Sequence, residues 1–185
     1  MRTALRAATA AAHKDLEQAL GLLEDPLSRS RFVALLERFW GFHAVWEPAI
    51  GQHAPLRSLM AGRYRLAQIA DDLRALGLTQ QEIMALPQCS RAAGLAISIE
   101  NALGSLYVLE GSTLGGQIIT RALRDQPWVP PSGLRYFDPY GPETGARWRA
   151  LQAALSAASA PSAEPAIIAG AVRTFELLRA WLVPG

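Results

Sequence analysis

His13 is the residue of this chain best placed to bind a metal. It lies in LRAATAAAHKDLE, residues 5–17, beside an apolar stripe at helical spacing and among alanines that leave room around its ring. Arg6 stands seven residues earlier, hence on nearly the same helix face and about 10.5 Å up the axis at 1.5 Å per residue. Glu17, one turn beyond His13, is placed to accept the second ring N–H and orient the imidazole. An imidazole that binds iron at the center of a heme, with a cation one heme radius away to meet a propionate, has this layout. The competing account is an ordinary histidine flanking an apolar helix face, half-buried and hydrogen-bonded.

A second segment, LYVLEGSTLGGQII at residues 106–119, has helical flanks and yet holds Gly111, Gly115 and Gly116. Each glycine inside a helix costs about 1 kcal/mol relative to alanine, so the three together cost about 3 kcal/mol, a sizeable part of a domain's net stability. At 100° per residue, Gly104, Val108, Gly111 and Gly115 fall on one narrow stripe, with Ser112 and Gly116 to one side of it. Two accounts fit that stripe. One is a close helix crossing, where missing side chains let two backbones approach. The other is a flat, bulky ligand lying on bare backbone, with glycines also letting the helix bend. A phosphate-binding loop does not fit, because no strand precedes the glycines and no lysine follows them.

The elements that must position these residues are helices. Leu5, Ala8, Ala12, Leu16, Leu20 and Leu23 recur at helical spacing over residues 4–23, closed by Pro26. Phe32, Leu35, Leu36, Phe39, Phe42, Val45 and Trp46 repeat the pattern over 30–52, which ends near Pro55. A third run covers 57–76 and stops at Gly77, and Thr79 with Glu82 forms a capping box that opens a short helix before Pro87. Residues 90–125 hold no proline and predict the longest helix. DQPWVPPSGLRYFDPYGPETG reads as a loop by its proline and glycine content, and helices follow over 143–158 and 164–183, the last with Pro165 in its first turn. No alternating strand pattern competes and no internal repeat is found. The expectation is an all-α, single-domain multi-helix bundle over residues 1–185.

Composition narrows the class further. The chain has 185 residues, half of them hydrophobic, and a formal charge of +2, with basic residues dispersed along it; nucleic acid is not expected as a partner. Apart from Lys14 every basic side chain is arginine, so any single arginine is a weak signal. No apolar run reaches a membrane span and the first 13 residues lack a signal-peptide core, which predicts a cytoplasmic protein without a membrane partner. Cys89 is the only cysteine, and no activating base accompanies it. With His13, His43 and His53 as the only imidazoles, neither the Glu-x-x-His pairs of di-iron bundles nor a His-Glu-x-x-His zinc motif is present.

LRAATAAAHKDLE near the N-terminus and LEGSTLGGQ near position 110 together resemble the heme oxygenases in content and separation, and the similarity extends weakly over most of the chain. The second motif is most similar to the bacterial branch associated with bacteriophytochromes. The resemblance implies a heme held between the first helix and a kinked, glycine-rich distal helix, with His13 as the iron ligand, Gly111, Gly115 and Gly116 on the distal side, Arg6 for a propionate and Glu17 behind the imidazole. It implies oxidative cleavage of heme by dioxygen to biliverdin, carbon monoxide and iron. Because the chain carries no flavin or iron–sulfur motif, it also implies an external electron donor such as a ferredoxin or flavin reductase, and a bacteriophytochrome as candidate biliverdin acceptor. One position departs from the family: Ser112 stands where many members have an aspartate that organizes proton delivery, and a hydroxyl is a far poorer acid near neutral pH. His43 aligns with distal polar residues, its alternative being plain helix core or surface. Tyr107 and Phe175 are candidate pocket walls, with plain core again the alternative. Ser112 also motivates a second hypothesis, a heme carrier of the same fold that does not degrade its cargo; a helical interaction domain without cofactor is a third.

Overall fold

A computed structural model describes residues 1–22, 27–130, 134–158 and 160–183. Regular structure among the described residues is helical throughout: α1 (Arg2–Leu20), α2 (Arg29–Gly51), α3 (Arg57–Met60), α4 (Leu66–Ala75), α5 (Gln80–Met84), α6 (Ile99–Leu123), α7 (Thr144–Ala158) and α8 (Glu164–Leu182), with 3-10 turns at Ala54–Leu56, Ser90–Ala96 and Gly141–Glu143. The all-α expectation holds. Leu23 and Pro26, expected at the close of the first helix, lie outside the described residues, as do residues 131–133 of the expected loop. The described part of α1 ends at Leu20, where Gly21 takes a left-handed conformation and its N–H caps the Glu17 carbonyl.

Two expected helices are broken, each for a local reason. Residues 57–76 form α3 and α4 with a turn between them, since Gly62 adopts φ 69°, a conformation that stops a helix. Residues 90–125 divide at Ser98, whose hydroxyl accepts from the Asn101 N–H at 3.2 Å and so starts α6 as an N-cap. The 3-10 turn before it meets α6 at 115°. The sharp bend of this segment therefore precedes the glycines, and α6 stays hydrogen-bonded through them from Ile99 to Leu123. The capping box at Thr79 and Glu82 forms as expected, with both reciprocal bonds present.

α8 is the shared support of the molecule, packing along α6 and along α1. With α1 it runs parallel: the Met1 ammonium lies 3.6 Å from Glu164, His13 meets Phe175, and Asp15 accepts from Arg179 at 3.0 Å. Against α6 it makes backbone contact. A Cβ on Gly170 would fall 2.7 Å from the Asn101 carbonyl oxygen, and one on Gly104 would collide with the Ile167 carbonyl and with Ala171 N at 2.6 Å. At Gly104 the helix-crossing account of the glycine stripe is therefore correct. The core fills the space between α2, α4, α6 and α8, with Phe32, Leu36, Phe42, Trp46, Leu73, Leu106 and Ile167 buried.

Both faces of that crossing are backbone, so neither can yield to an added methyl. Gly104→Ala is expected to lower the unfolding free energy by about 3 kcal/mol, the upper range for overpacking, as read by denaturant titration.

Candidate functional site

α1 delivers His13 half in water, its side chain 52% exposed, with Nε2 3.4 Å from Glu17 Oε1. On its other side the ring meets the buried Phe175 of α8 edge-on, centroids 5.5 Å apart. His13, Glu17 and Phe175 thus lie beside one another. A carboxylate stands beside the imidazole and an aromatic edge backs it, and Nδ1 has no hydrogen bond among the described residues. Arg6 is exposed on α1.

Around α6 the glycines divide into those the protein uses and those it does not. Gly116 is buried, and a Cβ there would collide with the Phe137 carbonyl, so this glycine serves packing against the 134–141 loop. A Cβ on Gly115 would meet nothing within 4 Å, and one on Gly111 only the Trp148 ring of α7, at 3.6 Å. Tyr107 packs on that same indole, centroids 5.5 Å apart. Beside these two glycines on the wheel stand Leu114, 42% exposed, and Ile118, 55% exposed. The stripe that α8 covers at Gly104 is therefore bare and apolar at Gly111 and Gly115. Ser112 is exposed and its hydroxyl donates to the Leu109 carbonyl at 2.7 Å, a bond back onto its own helix.

A little over a quarter turn around α6 from Gly111, at Glu110, lies a buried polar network. The Glu110 carboxylate accepts from Arg63, from Arg65 at 2.6 Å and from the Tyr140 hydroxyl at 2.8 Å. Arg65 also donates to the Leu109 carbonyl and faces the rings of Tyr136 and Tyr140. Burial acts to deprotonate Arg65, but the charge of Glu110 and the neighboring tyrosines outweighs it, and the net shift is upward. Burial likewise raises the Tyr136 and Tyr140 hydroxyls. His43 joins this network from α2. It is 1% exposed, with Nδ1 2.9 Å from Glu47 Oε1 and Nε2 3.3 Å from the Tyr136 hydroxyl. Glu47 Oε1 in turn accepts the backbone N–H of Arg65 and Leu66. Both nitrogens of His43 are thus engaged in the core, and its link to the glycine face is indirect, through Tyr136, Arg65 and Glu110.

An outer trough of about 760 Å³ runs along α8, lined by Pro165, Ile168, Ala169, Val172, Arg173 and Glu176 among others. By the 100° rule these residues face away from Ile167, Gly170 and Ala171, which touch α6, so the trough is separate from the glycine face.

The family model for heme oxygenase matches residues 1–183. The chain belongs to the heme oxygenase family. A heme oxygenase of Xanthomonas campestris pv. campestris (strain 8004) is 38% identical over 93 residues, 50% of this chain, and in that match the chain spans about half the relative's length, 51%. The fold is also that of two solved structures at 18% identity. Heme oxygenase from Leptospira interrogans superposes with a TM-score of 0.79, and heme oxygenase 2 from Chlamydomonas reinhardtii, without heme, with 0.76; each match covers 98% of this chain and 97% of the other.

In this member of the heme oxygenase family, His13, Glu17 and Phe175, named from the sequence, lie beside one another, and Gly111 and Gly115 lie where α6 is least covered. The buried network of Arg63, Arg65, Glu110, Tyr136 and Tyr140, and Trp148 against Gly111, were not anticipated from the sequence. Glu110 sits inside the quoted motif, next to Gly111, and was open to notice; the arginines were lost among many, and the tyrosines lay in a segment that looked like a connector.

The buried His43 gives the fold a pH dependence of definite sign. Burial lowers its pKa below 6.5, outweighing Glu47, so the unfolded chain binds the proton more readily. The resulting stability is present above about pH 6.5 and is lost as pH falls below it, by at most about 1.4 kcal/mol per pH unit. Thermal unfolding between pH 7.5 and 5.5 should show this slope, and His43→Gln should flatten it.

Proposed function

We propose that the chain binds heme between the imidazole of His13 and the bare backbone of α6 at Gly111 and Gly115, and cleaves it with dioxygen and external electrons to biliverdin, carbon monoxide and iron. The observation that carries this reading is Gly115, with Gly111 beside it. Glycines in a helix interior cost about 1 kcal/mol each, and here no atom of the described residues requires them, whereas at Gly104 and Gly116 backbone does. A flat macrocycle resting on the helix supplies the missing reason. Exposed Leu114 and Ile118 suit an apolar ring, and half-exposed His13 has a nitrogen to offer iron.

In this reading heme is the substrate and also brings the iron at which dioxygen is activated. The chain's own residues hold and shape. Glu17 orients the His13 ring, Phe175 backs it, Arg6 meets a propionate, and Tyr107 with Trp148 forms a wall beside Gly111. Electrons come from a ferredoxin or flavin reductase in the cytoplasm, and a bacteriophytochrome is the candidate acceptor of biliverdin. No single helix among the described residues is long and apolar enough to cross a membrane.

Ser112 supports a second reading, a heme carrier that leaves its cargo intact, because its hydroxyl proton is committed to the Leu109 carbonyl and no carboxyl group stands at that position. Turnover separates the two. With hemin, an electron donor and air, an oxygenase loses its Soret band and gains biliverdin absorption, while a carrier keeps a stable heme spectrum.

Binding itself is tested by two substitutions. His13→Ala should weaken or shift the Soret band of the hemin complex. Gly115→Ala should raise the stability of the ligand-free protein by about 1 kcal/mol, since its Cβ meets only open space, and yet weaken hemin binding about tenfold. Unchanged hemin affinity in Gly115→Ala would place the ligand elsewhere.

A further inference from the structure

We infer that Glu110 is a positioning residue for the glycine face: its buried carboxylate, gripped by Arg63, Arg65 and Tyr140, fixes α6 at the residue before Gly111. This rests on the reading that the ligand lies on Gly111 and Gly115.

The carboxylate is 2% exposed and its three donors come from two different segments, the turn after α3 and the loop before α7. Those donors are themselves anchored. Arg63 donates from Nε to the Leu59 carbonyl at 2.7 Å and from Nη2 to the Arg147 carbonyl at 3.0 Å. Arg65 donates to the Leu109 carbonyl at 2.8 Å, so it holds α6 by backbone as well as by Glu110. The Arg147 guanidinium covers the Tyr140 ring at 4.6 Å, which ties α7 to the same point.

A second hold lies just beyond the open glycines. Gly116 rests on the Phe137 carbonyl, and the Gln117 amide donates to the Gly141 carbonyl at 3.0 Å and lies 3.2 Å from Thr144 Oγ1 and 3.3 Å from Asp138 Oδ1. The loop at 134–141 thus serves both holds, and Asp72 of α4 secures it by accepting the N–H groups of Arg135 and Tyr136 at 3.0 and 2.9 Å. Between the holds, Ser112, Leu114 and Gly115 are exposed among the described residues. A helix rich in glycine and bare on one face keeps a fixed height above a ligand only when its covered face is clamped. The Glu110 grip is the charged, fully buried one. Removing its charge leaves two buried guanidinium groups without a counterion, and the segment they hold loosens.

Amide hydrogen exchange in ligand-free protein tests the clamp independently of heme. In Glu110→Gln, which keeps the side-chain shape, residues 111–118 should exchange about tenfold faster while 167–178 of α8 are unchanged. Unchanged exchange at 111–118, or equal acceleration in α8, would overturn the inference. Should Glu110→Gln fail to fold, Tyr140→Phe removes one hydrogen bond and keeps both ion pairs; a smaller acceleration at the same residues supports the clamp, and none there refutes it. Hemin then tests the positioning role: the variant should show a mixed spin-state spectrum where the natural chain shows one species. Identical hemin spectra despite faster exchange would refute positioning toward the ligand. Absence of any hemin spectrum with the natural chain would sink the ligand reading and leave the clamp to be judged by exchange alone.

Discussion

The backbone of α6 must be bare on one side and tightly held on the others, and most of the structure follows from that requirement. At Gly104 bareness admits α8, and at Gly116 it admits the 134–141 loop. At Gly111 and Gly115 it admits nothing from the described residues beyond the Trp148 ring. One run of missing side chains therefore does two jobs, packing at its ends and an open face in its middle. A helix built this way gains little from its own propensity, and its order comes from tertiary contacts.

Those contacts are electrostatic as well as apolar. Burying Arg63, Arg65 and Glu110 together would be costly for any of them alone, and each offsets the others only while all are present and hydrogen-bonded. The same network reaches His43 through Tyr136, so the polar interior between α2 and α6 behaves as one unit. His13 of α1, by contrast, stays at the surface beside the Glu17 carboxylate, with an aromatic neighbor. One polar cluster is thus buried and tightly paired and the other solvated, and α8 packs against both helices that carry them.

Much of this was legible in the sequence. Helical periodicity located α1, α2, α7 and α8, and the Thr79 capping box was recognizable because its partners are three residues apart. Local signals failed where a non-local or single-residue event decided the outcome. The left-handed Gly62 broke the third run, and the Ser98 cap divided residues 90–125 despite an unbroken apolar period. At the site, spacing placed Gly104 and Gly115 on one stripe but could not say which would be covered, since that depends on where α8 crosses. The Arg63–Glu110–Arg65 cluster joins residues 45 to 47 positions apart, and no periodicity reports such a pairing.

Leu114 and Ile118 remain wet until something lies on α6, so the empty chain displays a sticky patch and the filled chain hides it. Occupancy stabilizes the folded state by mass action. An occupant of that patch would therefore leave less of the aggregation-prone form and more folded protein.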